Sequence, residues 1–381
     1  MSVKVVMISN YINHHQMPFS EELYKKLGDD YTFIQTEPME EERAGMGWSV
    51  DEDSIPYLKL LYKEEDVCKK LIDECDMLLV GWQEHEELIV PRMKAGKLTV
   101  RISERLYREG QWKAISPKGL IRKYKEHIEF RKSNNTFLLC NGAYVASDFS
   151  LIKAYPGRMY KFGYFPKFRP MDYAKKPGTE EIQLIWAGRF IPLKHPEYII
   201  NLAADMIDMG YHFRIHMIGS GEMEEDLKAG VRKAELEDHV YFYGFLKPEE
   251  VRNLMDNCHI HMFTSNYLEG WGAVVNEGMN SGLAEVVCEQ VGAAPFLIEH
   301  GRNGLLYDGT YQDFRDKVLS LMDNPERIET LGRAAYETIE TLWNPGHAAE
   351  ELMRFYEGYV NGTIDPPKEG PMSIAQVIKP R

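Results

Sequence analysis

Thr264-Ser265-Asn266-Tyr267-Leu268-Glu269-Gly270-Trp271-Gly272-Ala273-Val274-Val275-Asn276-Glu277 is the stretch on which the chain is best read. It leaves an apolar run at 259–264, crosses two glycines and enters a helical pattern over about 273–281. Free amides at a helix N-terminus attract phosphate, and glycines let a ligand approach the backbone. Glu269 lies in the loop and Glu277 about a turn inside the helix, so the two carboxylates can flank one ligand rather than pair with each other. Carboxylates accept well from sugar hydroxyls. Either glutamate taken alone reads equally well as a solvated helix face or a capping residue.

Strands and helices alternate on both sides of this loop. Downstream of Ile182–Trp186 come a helix at 195–209, a strand at Phe213–Ile218, a helix at 222–235 and a strand at Val240–Tyr243. A helix at 248–256, the quoted loop and a strand at Ala284–Cys288 follow. Upstream, Val3–Ile8 and apolar runs at 77–81, 97–102 and 136–140 alternate with helical patterns at 64–74, 85–93 and 117–131. Such alternation implies two doubly wound α/β domains with parallel sheets. Pro156, Gly157, Gly163, Pro166, Pro170, Pro177 and Gly178 place the connection between them at 155–181. The expected division is 1–170, 171–340, and 341–381, with a helix at 346–360 followed by an irregular, proline-rich tail.

Composition agrees. A chain of 381 residues with 44% hydrophobic and 27% charged residues is globular and long enough for two domains. No apolar run reaches the roughly 20 residues that span a bilayer, and the N-terminus does not read as a signal peptide. Five scattered cysteines without a Cys-x-x-Cys support neither a disulfide framework nor structural zinc, and suit a reducing cytoplasm. The formal charge of -14 disfavours nucleic acid as a partner. Residues 101–132 are the local exception, with ten Lys or Arg against four Glu, a net +6.

In open parallel sheets ligands bind beyond the carboxyl ends of strands. Gly188-Arg189 leaves one such strand, with Lys194 five residues on; a guanidinium fork and an ammonium suit a diphosphate, or are two solvated surface cations. Gly219-Ser220-Gly221 follows the next strand, but Glu224 stands where a dinucleotide fingerprint needs glycine. His259 and His261 share a strand face without a third ligand and read as core, so no metal is assigned. Asp51-Glu52-Asp53 lacks a hydrophobic strand before it and reads as a solvated acidic loop. Gly-x-Ser-x-Gly, His-Glu-x-x-His and Walker sequences are missing, which removes serine hydrolases, zincins and P-loop enzymes as leading readings.

Gly-Arg-x(4)-Lys at 188–194, Gly-Ser-Gly at 219–221, Val240–Gly244, Glu-x(7)-Glu at 269–277 and Asn303-Gly304-Leu305-Leu306 resemble, in order and spacing, the retaining glycosyltransferases of family four. The resemblance covers about residues 180–310. It implies the GT-B architecture: two facing Rossmann-like doubly wound domains with an interdomain cleft, and a C-terminal helix returning to the first domain. It also implies a nucleotide-diphosphate sugar as donor, with UDP favoured over GDP, and no metal or other cofactor. Arg189 and Lys194 would hold the diphosphate beside Gly188, Gly219, Gly221 and the amides of Gly272, Ala273 and Val274. Glu277 would bind the ribose, Glu269 the transferred sugar, and Phe245 and Leu246 would lie near the base. The acceptor is thought to enter on the leaving-group face.

Departures fall on the acceptor side. Gly292-Ala293-Ala294-Pro295-Phe296 stands where the family often has Gly-Gly-x-Pro-Glu, and the first loop is Asn10-Tyr11-Ile12-Asn13-His14-His15-Gln16 rather than glycine-rich. Asn13, His14, His15 and Glu104 are the acceptor-side candidates. Leu106, Tyr107, Trp112, Leu120, Ile121, Tyr124 and Ile128, interleaved with the cations of 101–132, suit an anionic membrane surface or an ordinary solvated helix face. The resulting expectation is a cytoplasmic, peripherally membrane-bound, retaining hexosyltransferase acting on a cell-surface or lipid-linked glycan. A GT-B nucleotide-sugar epimerase and a non-catalytic sugar-nucleotide or glycan-binding module are the alternatives.

Overall fold

A computed structural model of the protein describes residues 3–39 and 50–379. The chain forms two compact units, one of Met1–Lys167 with Trp343–Pro380 and one of Phe168–Leu342.

The first unit is built on β1 (Val5–Ser9), β2 (Tyr31–Gln35), β3 (Leu58–Leu60), β4 (Met77–Val80), β5 (Thr99–Ser103), β6 (Thr136–Asn141) and β7 (Met159–Phe162). They form one sheet in the order β3-β2-β1-β4-β5-β6-β7, every pair parallel. All five β1 residues and all four β4 residues are buried, the continuous apolar signature of a strand covered on both faces. The first helix, Met17–Leu27, carries Pro18 near its start and Lys25 and Lys26 in its last turn. It ends at Gly28, whose φ of 58° suits glycine. The helix Pro345–Val360 belongs to this unit and packs on Met17–Leu27. Asn344 caps it by accepting from the His347 amide at 2.8 Å, and Phe355 meets Phe137 edge to face at 4.9 Å.

The second unit contains β8 (Ile182–Ala187), β9 (Phe213–Ile218), β10 (Val240–Phe242), β11 (Ile260–Phe263), β12 (Ala284–Cys288) and β13 (Leu305–Tyr307). Their order is β10-β9-β8-β11-β12-β13, again all parallel. In each sheet the strand order reverses once, beside β1 and beside β8, and ligand-binding loops gather at such reversals.

Several elements escape the periodicity. β2, β3 and β13, three to five residues long, lie outside the strands read from the sequence. β7 lies inside the Pro/Gly-rich stretch assigned to the connection, because Pro156, Gly157, Gly163 and Pro166 flank rather than interrupt it. The tail is irregular but not idle. Its Met372 and Ala375 amides donate to Lys161 and Met159 carbonyls at 2.8 and 3.0 Å, and the Lys161 amide donates to Ser373, so the outer edge of β7 is covered. The helix expected over 117–131 is Pro117–Lys123 followed by a wider π-turn, Tyr124–Ile128.

The basic stretch is also less basic at its surface than its sequence. Arg101 is buried in a bidentate pair with Glu86, at 2.9 and 2.6 Å, and Arg105 is buried against Asp148. Asp148, fully buried, also accepts from the Tyr107 amide and the Gln111 side chain, so these cations hold the fold. All five cysteines are buried free thiols. No helix among the described residues is long and apolar enough to cross a membrane.

Candidate functional site

The carboxyl ends of β8, β9 and β10 are locked together by backbone. Gly188 N–H donates to Ile218 O at 2.9 Å, Gly219 N–H to Gly244 O at 2.8 Å, and Phe190 N–H to Ser220 O at 2.9 Å. Gly219 has a φ of 132°, and a Cβ there would overlap the Gly188 carbonyl oxygen. The glycine is thus required by a backbone-to-backbone approach, which brings the Gly188-Arg189 loop beside the Gly219–Gly221 turn. Arg189 is exposed.

Lys194 closes a short 3₁₀ turn, Pro192–Lys194, and is followed by His195 in a left-handed conformation at φ 45°. Its carbonyl accepts from Thr264 Oγ1 at 2.6 Å, and Thr264 in turn accepts from the buried Trp186 indole at 2.8 Å. Two strand ends therefore set the position of Lys194. Its ammonium donates to Glu269 Oε2 at 2.6 Å and lies 3.5 Å from Ser265 Oγ. The lysine and the loop carboxylate, read separately in the sequence, meet directly.

The loop that supplies Glu269 is stapled on itself. Asn266 accepts from the Glu269 amide through its carbonyl and from the Leu268 amide through its side chain, both at 3.0 Å. Buried Trp271 donates to Asn276 Oδ1 at 2.8 Å. Gly272, at φ 89°, then opens the helix Ala273–Asn280; a Cβ on it would press to 3.0 Å against the Phe263 ring. Ala273 and Val274 are half-buried in the first turn, and Glu277 is buried. Burial pushes its carboxyl above the usual range, while Arg252 and His261 pull it back. Phe245, after β10, is 52% exposed, and Leu246 packs on the apolar cluster around Ile185 and Met255. Phe296 is core, near the Trp271 ring at 6.3 Å.

In the first unit, Asn13 is buried and its Oδ1 accepts from the His15 amide at 2.9 Å. The His14 and His15 rings lie 3.8 Å apart. Burial lowers His14 to about 4, and lowers His15 well below its ordinary value with His14 adding to the effect. Both are neutral imidazoles at pH 7, suited to hydroxyl groups more than to phosphate. The Tyr164 ring lies tilted beside His15 at 5.6 Å, and its hydroxyl donates to Glu104 Oε1 at 2.9 Å; Arg108 also pairs with Glu104. Tyr164 carries no sequence signal, since a lone tyrosine after a four-residue strand is unremarked until the fold brings it to Glu104.

Among the described residues no three His, Cys, Asp or Glu are grouped to hold a metal. His259 accepts from the Gln183 amide at 2.9 Å, and His261 pairs with Glu285 rather than with His259. The sequence signal for that pair is a histidine and a glutamate each set in an otherwise apolar strand.

Residues 171–338 match the family model described as glycosyl transferases group 1. The chain is 25% identical over 182 residues to spore coat protein SA of Bacillus subtilis, covering 46% of this chain and 48% of that protein. It is 30% identical over 205 residues to D-inositol 3-phosphate glycosyltransferase of Pseudarthrobacter chlorophenolicus, covering 51% of this chain and 47% of that protein. The chain thus spans about half the length of the curated relatives it matches. Among solved structures, Anabaena Alr3699/HepE in complex with UDP and glucose aligns with a TM-score of 0.67 at 14% identity, covering 93% of this chain and 100% of that one. The pneumococcal O-GlcNAc transferase GtfA in complex with UDP and GlcNAc aligns with a TM-score of 0.66 at 11% identity, covering 94% and 99%. At such identities the likeness speaks for the fold, and the fold is GT-B.

Proposed function

We propose that this chain, whose residues 171–338 match the glycosyl transferases group 1 model, moves a hexose from a nucleotide-diphosphate sugar to a glycan or lipid-linked acceptor, with retention of configuration and without a metal. The observation that carries the reading is the convergence of Lys194 and Glu269, 2.6 Å apart, in the loop that runs into the Gly272 helix start and Glu277. UDP is favoured over GDP, because HepE and GtfA were both solved with UDP.

In this reading the diphosphate takes Lys194, Arg189 and the amides of Gly272–Val274. As the glycosidic bond loosens, negative charge grows on the leaving phosphate, and cations and amides already aimed at it lower the barrier. Lys194 turns from Glu269 to phosphate, which leaves the carboxylate to accept from hydroxyls of the transferred sugar. Glu277 accepts from the ribose diol, and the base lies against exposed Phe245 with Leu246 beneath. Asn13, His14, His15 and Glu104 of the first unit serve the acceptor. The test is proton NMR of the product anomer, with EDTA present. Retention is expected, with transfer and slow donor hydrolysis both lost in Glu269→Ala; an inverted product or a strict metal requirement contradicts the reading.

Membrane contact in the cytoplasm is the proposed means of reaching a lipid-linked acceptor. It is narrowed to the surface where Trp112, Ile121 and Tyr124 are 70%, 63% and 55% exposed beside Arg122 and Lys125. Each cation near an anionic leaflet contributes about 1 kcal/mol, and interleaved aromatics suit the headgroup region. Cosedimentation with anionic liposomes is expected to fall with salt and to drop severalfold in Ile121→Glu. Equal sedimentation of both proteins would remove the proposal.

A further inference from the structure

His261 and Glu285 are register partners on β11 and β12, with His261 Nδ1 2.7 Å from Glu285 Oε2 and neither side chain exposed. Their strand neighbours Ile260, Met262, Ala284 and Val286 are all buried apolar residues. Taking two ionisable side chains out of water is expensive, and replacing such a pair by apolar residues is often neutral or stabilising. Stability alone therefore gives no reason for it.

What the pair touches does. A Cβ on Gly278 would overlap Glu285 Oε1 and come 2.8 Å from His261 Nδ1, so the backbone of the Ala273–Asn280 helix rests on the pair at the residue after Glu277. His261 Nε2 and Glu285 Oε1 are buried and make no hydrogen bond among the described residues. Arg252, on the helix Pro248–Met255, and then His261 both offset the effect of burial on Glu277, favouring the ionised carboxylate that ribose hydroxyls need.

We propose that His261 and Glu285 are positioning residues for the ribose of the nucleotide: the pair carries the helix at Gly278 and so fixes where Glu277 presents its oxygens. The inference rests on the reading of Glu277 as the ribose-binding carboxylate. Calorimetric titration with UDP and with 2′,3′-dideoxy-UDP separates the two. The wild type is expected to prefer UDP by at least about tenfold, the worth of hydrogen bonds to a charged acceptor. A wild type that binds both equally overturns the Glu277 reading, and this one with it. The double variant His261→Leu/Glu285→Val is expected to melt no lower than the wild type, to bind dideoxy-UDP as before and to lose most of the preference for UDP. A preserved preference, or equal weakening of both nucleotides, overturns the positioning role while leaving Glu277 in place. Gly278→Ala lifts the helix off an intact pair and is expected to give the same selective loss; an unchanged ratio in that variant also overturns the proposal.

Discussion

Lys194→Ala is expected to lower kcat for transfer by a factor on the order of 10²–10³ while leaving the protein folded, the loss typical of removing one preorganised group from a developing anion. The two halves of that expectation come from different observations. The Lys194 and Glu269 side chains are only 13% and 19% exposed, so losing the lysine costs some stability by leaving the carboxylate partly desolvated, yet both residues lie outside the strands and α-helices and the fold is expected to survive. The Lys194 backbone is held independently by Thr264, which keeps the turn in place when the side chain is gone. Steady-state kinetics with a saturating donor and a thermal melt read the two halves. A variant with wild-type kcat would remove Lys194 from the chemistry, and one that no longer folds would show that the pair is structural.

Gly219→Ala should be the most damaging of the small substitutions, at about 3 kcal/mol, from a positive φ combined with overpacking. The new methyl group has nowhere to go: the Gly188 carbonyl oxygen occupies its place, and that carbonyl belongs to the loop carrying Arg189. Relief requires β8 and β9 to part at their carboxyl ends, where Ala187 and Ile218 are paired. Urea unfolding checks the magnitude, and loss of UDP binding in the protein that remains folded checks the link to the site. Gly28→Ala is the fitting control: its φ is positive, its ψ is -135° and nothing lies within 4 Å, so backbone strain of about 1–3 kcal/mol without overpacking is expected.

The second unit was more legible than the first, for physical reasons. Gly219 is demanded by a close backbone approach and Gly272 by its positive φ against the Phe263 ring, demands that leave glycine at fixed positions, and the carboxylates at 269 and 277 stand at the spacing that the proposed hydroxyl recognition would need. The Lys194–Glu269 contact leaves no such mark, because 75 residues separate its partners and only the order of β8 and β11 in the sheet joins them. In the first unit, Arg101 and Arg105 read as surface charge, and composition gives no sign that Glu86 and Asp148 draw them inward. In the sequence His261 reads beside His259 on its own strand; strand register gives it Glu285 instead. β3 and β7 stay hidden because turn-forming residues crowd around them, Pro56 before β3 and Pro156, Gly157, Gly163 and Pro166 around β7.

In the proposed function the second unit binds a nucleotide-diphosphate sugar with Glu277 on the ribose. Calorimetric titration of the wild type and Glu277→Ala with UDP and with GDP, without added metal, tests it most directly. The account predicts that UDP binds the wild type more tightly than GDP does and that the variant loses at least about tenfold in affinity, the cost of hydrogen bonds to a charged acceptor. A folded wild type that binds neither nucleotide would contradict it.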